Sequence, residues 1–288
     1  MKKVTSFVLA IMFALGFSLA FVLNPSNEFI PENEPLFKTT LEVQETSQGI
    51  SVRGGNIVRP VHEIIRFHRR EIQHFAMAPN MPIHMSGYHC GATAGGSKIA
   101  FYQRIHRELI PGHNPGMQIG HIWAWSGSSP QVRAMFSDLQ FRMGADIGVT
   151  IQQYYLGIAS YVVSRGLSMT LGNVTGPNNT LAPSFFTTIR NGRPVSLFLN
   201  GFNVMSNAGF DLRDDFDSIS FVEYAGRHVM VAYGYRIFSY FDENDVMFRQ
   251  DIYLNVHTAT VGMGRGFIRI SSHSRLESAL VTHIHPRN

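Results

Sequence analysis

Residues 250–257 read QDIYLNVH, and the fold turns on how this stretch is read. Ile252, Leu254 and Val256 alternate with Tyr253, Asn255 and His257, the period of two expected of a strand with one buried face. PVSLFLN at 194–200, RHVMVAYGY at 227–235 and GFIRIS at 266–271 have the same β-rich character. Upstream the period changes. Residues 131–143 and 150–165 look helical, and a helix is expected from Gly91 to about Leu109. Ile99, Tyr102, Ile105 and Leu109 form its apolar stripe, and LIPGHNPG at 109–116 stops it. Another helix is expected over 60–75, with Pro60 in its first turn and Val61, Ile64, Ile65, His68 and Ile72 on one face. The loop GNVTGPNNTLAP at 172–183 divides the helical part from the strands. Helices first and strands afterwards predict an α+β fold with segregated halves.

The chain opens with Lys2 and Lys3, followed by an apolar run from Val4 to Leu23. That layout reads as a secretory signal, with Ser18 and Ala20 near a cleavage site. At about 20 residues the run is also long enough to anchor the chain uncut. Residues 24–58 are polar and rich in Pro, Gly and Asn, as in a linker or propeptide-like extension. The expected organisation is a signal or anchor over 1–23, the extension over 24–58 and one domain over 59–288. The bulk of the chain is expected outside the cytoplasm, secreted or held at a membrane only through its N-terminus.

The composition, 44% hydrophobic and 15% charged, is that of a folded globular protein. Its formal net charge of +4 is mild and unclustered, with RFHRR at 66–70 as the one dense group, read as a solvated helix face. No basic stripe with interleaved aromatics occurs, which argues against nucleic acid as a partner. The thirteen histidines are scattered. No HExxH or paired Cys/His spacing accompanies them, which argues against a metal site. His283 and His285 in THIHPRN come closest, in what reads as a polar C-terminus. No cofactor is implied.

Cys90 is the single cysteine in 288 residues. A buried small hydrophobe is one reading. Its position at the start of a helix supports another, because unpaired N–H groups and the helix dipole lower a thiol's pKa. The small residues Gly91, Ala92, Thr93 and Ala94 would let a substrate backbone approach. A base must come from elsewhere in the chain, and His228, opening a strand after Gly226 and Arg227, is the candidate.

HCGATAGGSKIAFYQR resembles the nucleophile helix of papain-like cysteine peptidases of the bacterial streptopain and double-glycine-peptidase kind. RHVMVAYGY is similar to their catalytic-histidine strand, NGRPVSLFLN to the strand before it, and DIYLNVH to the strand that carries the orienting residue. The resemblance spans roughly residues 85–270. It implies a helical lobe carrying the nucleophile helix and an antiparallel β lobe, acting on a peptide or protein substrate. Cys90 would be the nucleophile and His228 its proton partner, with the Cys90 amide and a second donor holding the oxyanion. His84 stands where the family has a glutamine as that second donor. Asn255 and His257 are both candidates to orient His228: Asn255 on chemistry, His257 on register. Thr258-Ala259-Thr260 replaces the family's Trp-Gly segment. Two rivals stay open: an inactive papain-like binding module, and another Cys–His acyl-transfer enzyme, transglutaminase-like or a cell-wall amidase.

Overall fold

The structure, a computed structural model, describes residues 56–75, 81–82, 89–120, 122–144, 149–260, 263–270 and 275–287. The expected export segment and His84 lie outside the described residues, as does all but the end of the 24–58 extension. In chain order the elements are β1 (Asn56–Arg66), β2 (Arg69–Phe75), α1 (Cys90–Tyr102), β3 (Gly116–Ile119), β4 (Ile122–Trp125), α2 (Pro130–Met143) and α3 (Ile151–Ser164). There follow β5 (Leu167–Asn173), α4 (Pro183–Arg190), β6 (Val195–Val204), β7 (Phe210–Leu212), β8 (Phe216–Phe241), β9 (Met247–Thr260), β10 (Met263–Arg269) and β11 (Arg275–Pro286). Among the described residues the fold is α+β, with four helices and a large antiparallel sheet. No helix among the described residues is long and apolar enough to cross a membrane.

The sheet runs β10-β9-β8-β6-β11-β5, and β1, β2 and β7 also pair with β8, giving nine strands. Its 26-residue β8 is the spine. The sheet also curls: Met205, just past β6, exchanges backbone hydrogen bonds of 2.9 and 2.8 Å with Phe267 of β10. Alternation along β6 and β8 sorts the core. Phe198, Val229, Val231 and Tyr233 pack in one cluster with α1, α2 and α3. Leu197, Leu199, Met230 and Ala232 pack in a second, with Phe185 and Ile189 of α4 and with Leu254 and Val256 of β9. The two ends of β8 supply Ile219, Phe221, Phe238 and Tyr240 to a third.

The helices start and stop where local chemistry dictates. Ser129 caps α2 ahead of Pro130, and Gly144 ends it in the left-handed region at φ 66°. Thr150 and Gln153 form a reciprocal capping box on α3. In α1 every residue from Gly91 to Tyr102 is buried. Its small residues serve packing: a Cβ at Gly96 would collide with the Phe136 ring, so glycine lets α2 approach.

Several expectations need correction. Residues 60–75 form most of β1, a short turn and β2 instead of a helix, and each strand pairs antiparallel with β8, at opposite ends of it. Val61, Glu63 and Ile65 are buried while Ile64 is 49% exposed, a period of two. Pro60, which cannot donate a ladder hydrogen bond, sits in a strand that pairs on one side only. RFHRR is the end of β1, the connecting turn and the start of β2, not a helix face. There Arg69 pairs with Asp245 and Glu71, and Arg70 with Asp217. The helix that opens at Cys90 ends at Tyr102, and a 3₁₀ turn at Arg107–Leu109 follows, leaving Ile105 exposed. The loop over 172–183 does not divide helices from strands, since β5 precedes it and α4 follows it, and THIHP belongs to β11, whose Thr282 and Ile284 are buried.

Candidate functional site

The N-terminus of α1 is capped by His89, whose ring Nδ1 accepts the Ala92 amide at 3.1 Å. Cys90 follows as the first helical residue, half-buried against the helix-side cluster. The amides of Val229, Gly91 and Cys90 itself direct their N–H groups at its sulfur and favour the thiolate. Burial opposes them and prevails, so the thiol's pKa lies above its ordinary value. The helix terminus alone therefore does not ionise Cys90.

Val229 is the residue immediately after His228. The sulfur of Cys90 thus meets β8 at the peptide that joins the two. His228 itself is 4% exposed. It lies two residues past Gly226, whose φ of 101° is open to glycine, opposite an irregularity in β6 between Asn200 and Phe202. Its ring stacks on Phe202 at 4.8 Å. Burial lowers its pKa to about 4, with the Thr258 carbonyl pulling the other way. At neutral pH the resting site therefore holds a neutral thiol and a neutral imidazole.

The imidazole's tautomer follows from one contact. His228 Nε2 lies 2.6 Å from the Thr258 carbonyl oxygen. A carbonyl only accepts, so Nε2 carries the proton and Nδ1 is the basic nitrogen. The side-chain candidates for this orienting task do not fill it. Asn255 is 8% exposed, and its Oδ1 accepts no hydrogen bond from any described residue. His257 Nδ1 accepts the Ala259 amide at 3.2 Å, which leaves the proton on Nε2. A neutral His257 in that state has no lone pair left to accept an N–H from His228. The acceptor is a backbone carbonyl, which no side-chain motif announces. The departure of Thr258-Ala259-Thr260 from the family's Trp-Gly was the one local sign.

Sequence reasoning also passed over Lys98. It lies on α1 with Cys90 and is fully buried. Its Nζ donates to Ser196 Oγ at 3.0 Å and Thr282 Oγ1 at 2.7 Å. Tyr154 shares Ser196 Oγ at 2.8 Å, and Tyr102 donates to the Thr282 carbonyl at 2.6 Å. Burial lowers the Lys98 pKa to about 7. Tyr154 also feels Cys90: a thiolate there adds to the burial that raises the phenol's pKa. A lone lysine amid GATAGGSKIAFY was the available signal.

No family model matches the chain, and neither a curated protein nor a solved structure matches it significantly. Among the described residues no three His, Cys, Asp or Glu side chains converge as a metal-binding set.

Proposed function

We propose that this chain is an exported cysteine peptidase of papain-like architecture, with Cys90 as nucleophile and His228 as proton partner. The observation that carries the reading is the shared peptide: the Val229 amide points at the Cys90 sulfur, and His228 precedes it with Nδ1 as its basic nitrogen. The basic start and apolar run of residues 1–23 support export. With both groups neutral at rest, proton transfer accompanies attack. The thiol proton passes to His228 Nδ1 as sulfur bonds to the scissile carbonyl carbon. Collapse of the tetrahedral adduct breaks the C–N bond, and Nδ1 returns the proton to the leaving amine. Water then gives a proton to Nδ1 and its oxygen to the thioester carbon. The C–S bond breaks, and sulfur takes the proton back.

A peptidyl chloromethyl ketone, with adducts located by mass spectrometry, tests this. The native full chain should be modified at Cys90, and His228→Ala should suppress the reaction. Peptide hydrolysis should vanish in Cys90→Ala. Modification only after unfolding would overturn the reading. Two observations favour the inactive binding module: burial raises the thiol and lowers the imidazole, both away from an ion pair, and Cys90 packs with the helix-side cluster while the His228 ring stacks on Phe202 of the second cluster. A native chain inert to the probe and to peptides would favour that module. Turnover of peptidoglycan amides but not peptides would favour the amidase.

A further inference from the structure

One peptide plane lies between two histidine rings. Its carbonyl, that of Thr258, takes the Nε2 proton of His228 at 2.6 Å. Its N–H, that of Ala259, is given to Nδ1 of His257 at 3.2 Å. The two groups point in opposite directions from a trans peptide, so holding one end fixes where the other points. Both rings are buried. Nothing in the sequence favours this plane by itself. Ala259 sits at φ 52°, in the left-handed region that a non-glycine residue rarely occupies. Something must hold it there.

We infer that His257 is a positioning residue: by accepting the Ala259 amide it keeps the left-handed turn that aims the Thr258 carbonyl at His228. The inference rests on the Cys–His reading above and deepens it. A ring acceptor on residue i that takes the amide of residue i+2 closes a local turn, as Asn and Asp side chains do in Asx turns. In a dry site the two bonds polarise the shared peptide in the same sense, so each strengthens the other. His257 thus acts on the imidazole through a backbone unit and never accepts its proton.

The test compares four variants of the full chain by the NMR signal of the His228 Nε2 proton, its tautomer shifts, and peptide hydrolysis. The parent chain should show a downfield, exchange-protected Nε2 proton. His257→Leu removes the acceptor; that proton should be lost, the tautomers should mix, and kcat should fall about 10- to 100-fold with KM little changed. His257→Asn can close the same turn and should keep the signal and kcat within about threefold. His257→Gln, one methylene too long for an Asx turn, should resemble Leu. Ala259→Gly added to His257→Leu admits the left-handed region without strain and should recover part of both readouts. If His257→Leu does not fold, Asn against Gln decides. Equal NMR signals in Asn and Gln, or an unchanged Nε2 proton in Leu, would overturn the inference. The NMR readout needs no turnover. A chain in which it responds as described while Cys90 proves inert would refute the peptidase and keep the positioning role.

Discussion

Lys98 Nζ on α1 reaches Thr282 Oγ1 on β11 at 2.7 Å, joining that helix to the sheet through an amine that meets hydroxyls and no carboxylate. No ion pair to Lys98 forms among the described residues. An ammonium in that position gives up its hydration for two neutral acceptors, so the amine is held largely neutral above pH 7.

The sign of the resulting pH dependence is fixed. Lys98 has a pKa of about 7 folded against 10.5 unfolded, so the unfolded chain binds more protons between those values. Its contribution to stability is fully present above pH 10.5 and is lost as pH falls to 7. Urea unfolding should show stability climbing with pH across that window, by at most about 1.4 kcal/mol per unit from this group. Lys98→Met should flatten the climb and raise stability at pH 7. A Met variant with the parent's slope would refute the assignment.

His228 obeys the same rule in a lower window. Its folded pKa of about 4 lies below the ordinary 6.5, so its stabilising contribution is complete above pH 6.5 and lost as pH falls to 4. The loss should be on the order of 3 kcal/mol, and His228→Leu should remove it. Unfolding free energies at pH 4.5 and 7 for both chains are the measurement.

Cys90 should react slowly with iodoacetamide at neutral pH, because burial raises its thiol above the ordinary value of 9. The alkylation rate should rise with pH through and beyond 9. A plateau below pH 7 would mean a preformed thiolate–imidazolium pair, and proton transfer during attack would then be wrong.

Asn255→Ala should leave peptide hydrolysis within about threefold, since the Oδ1 it removes accepts nothing from the described residues. Stability should hold or rise by roughly 1 kcal/mol, as expected when a buried acceptor without a partner is deleted. A loss of kcat of tenfold or more would reinstate the amide as the orienting group.

Gly96→Ala should destabilise the chain by about 1–3 kcal/mol, because the new methyl meets the Phe136 ring. Phe136→Leu should cost less in that background than in the parent, a coupling that thermal unfolding of the double-mutant cycle reads directly.

The strand half was legible because Ile252, Leu254 and Val256 repeat every two residues, a signal carried by the local chain alone. Strands β1 and β2 were not. Val61, Ile64, Ile65 and Ile72 also satisfy helical spacing, and what separates the readings is Glu63, a charged residue on the buried face. Its partners, Arg249 and Arg269, lie 186 and 206 positions away, beyond any local pattern. Cys90 and His228 stood out by motif, and the structure packs Cys90 against the helix-side cluster and the His228 ring on Phe202 of the second cluster. Thr258 could not stand out, because its contribution is a carbonyl that every residue possesses. Lys98 drew no reading from the sequence, because no local pattern shows that α1 is buried from Gly91 to Tyr102.

The length of β8 governs how this molecule can be assembled. Arg59 in β1 meets Glu223 in β8 across 164 positions of chain, and β2, β6, β7 and β9 line up on the same strand. During synthesis β1 and β2 emerge first and must wait, without their partner, until residues 216–241 follow. Loops this long close slowly, so folding should be rate-limited by recruitment of the central strand and not by the helices. Order of synthesis and order of assembly are thereby uncoupled, and a nascent chain truncated before β8 lacks the strand with which both β1 and β2 pair.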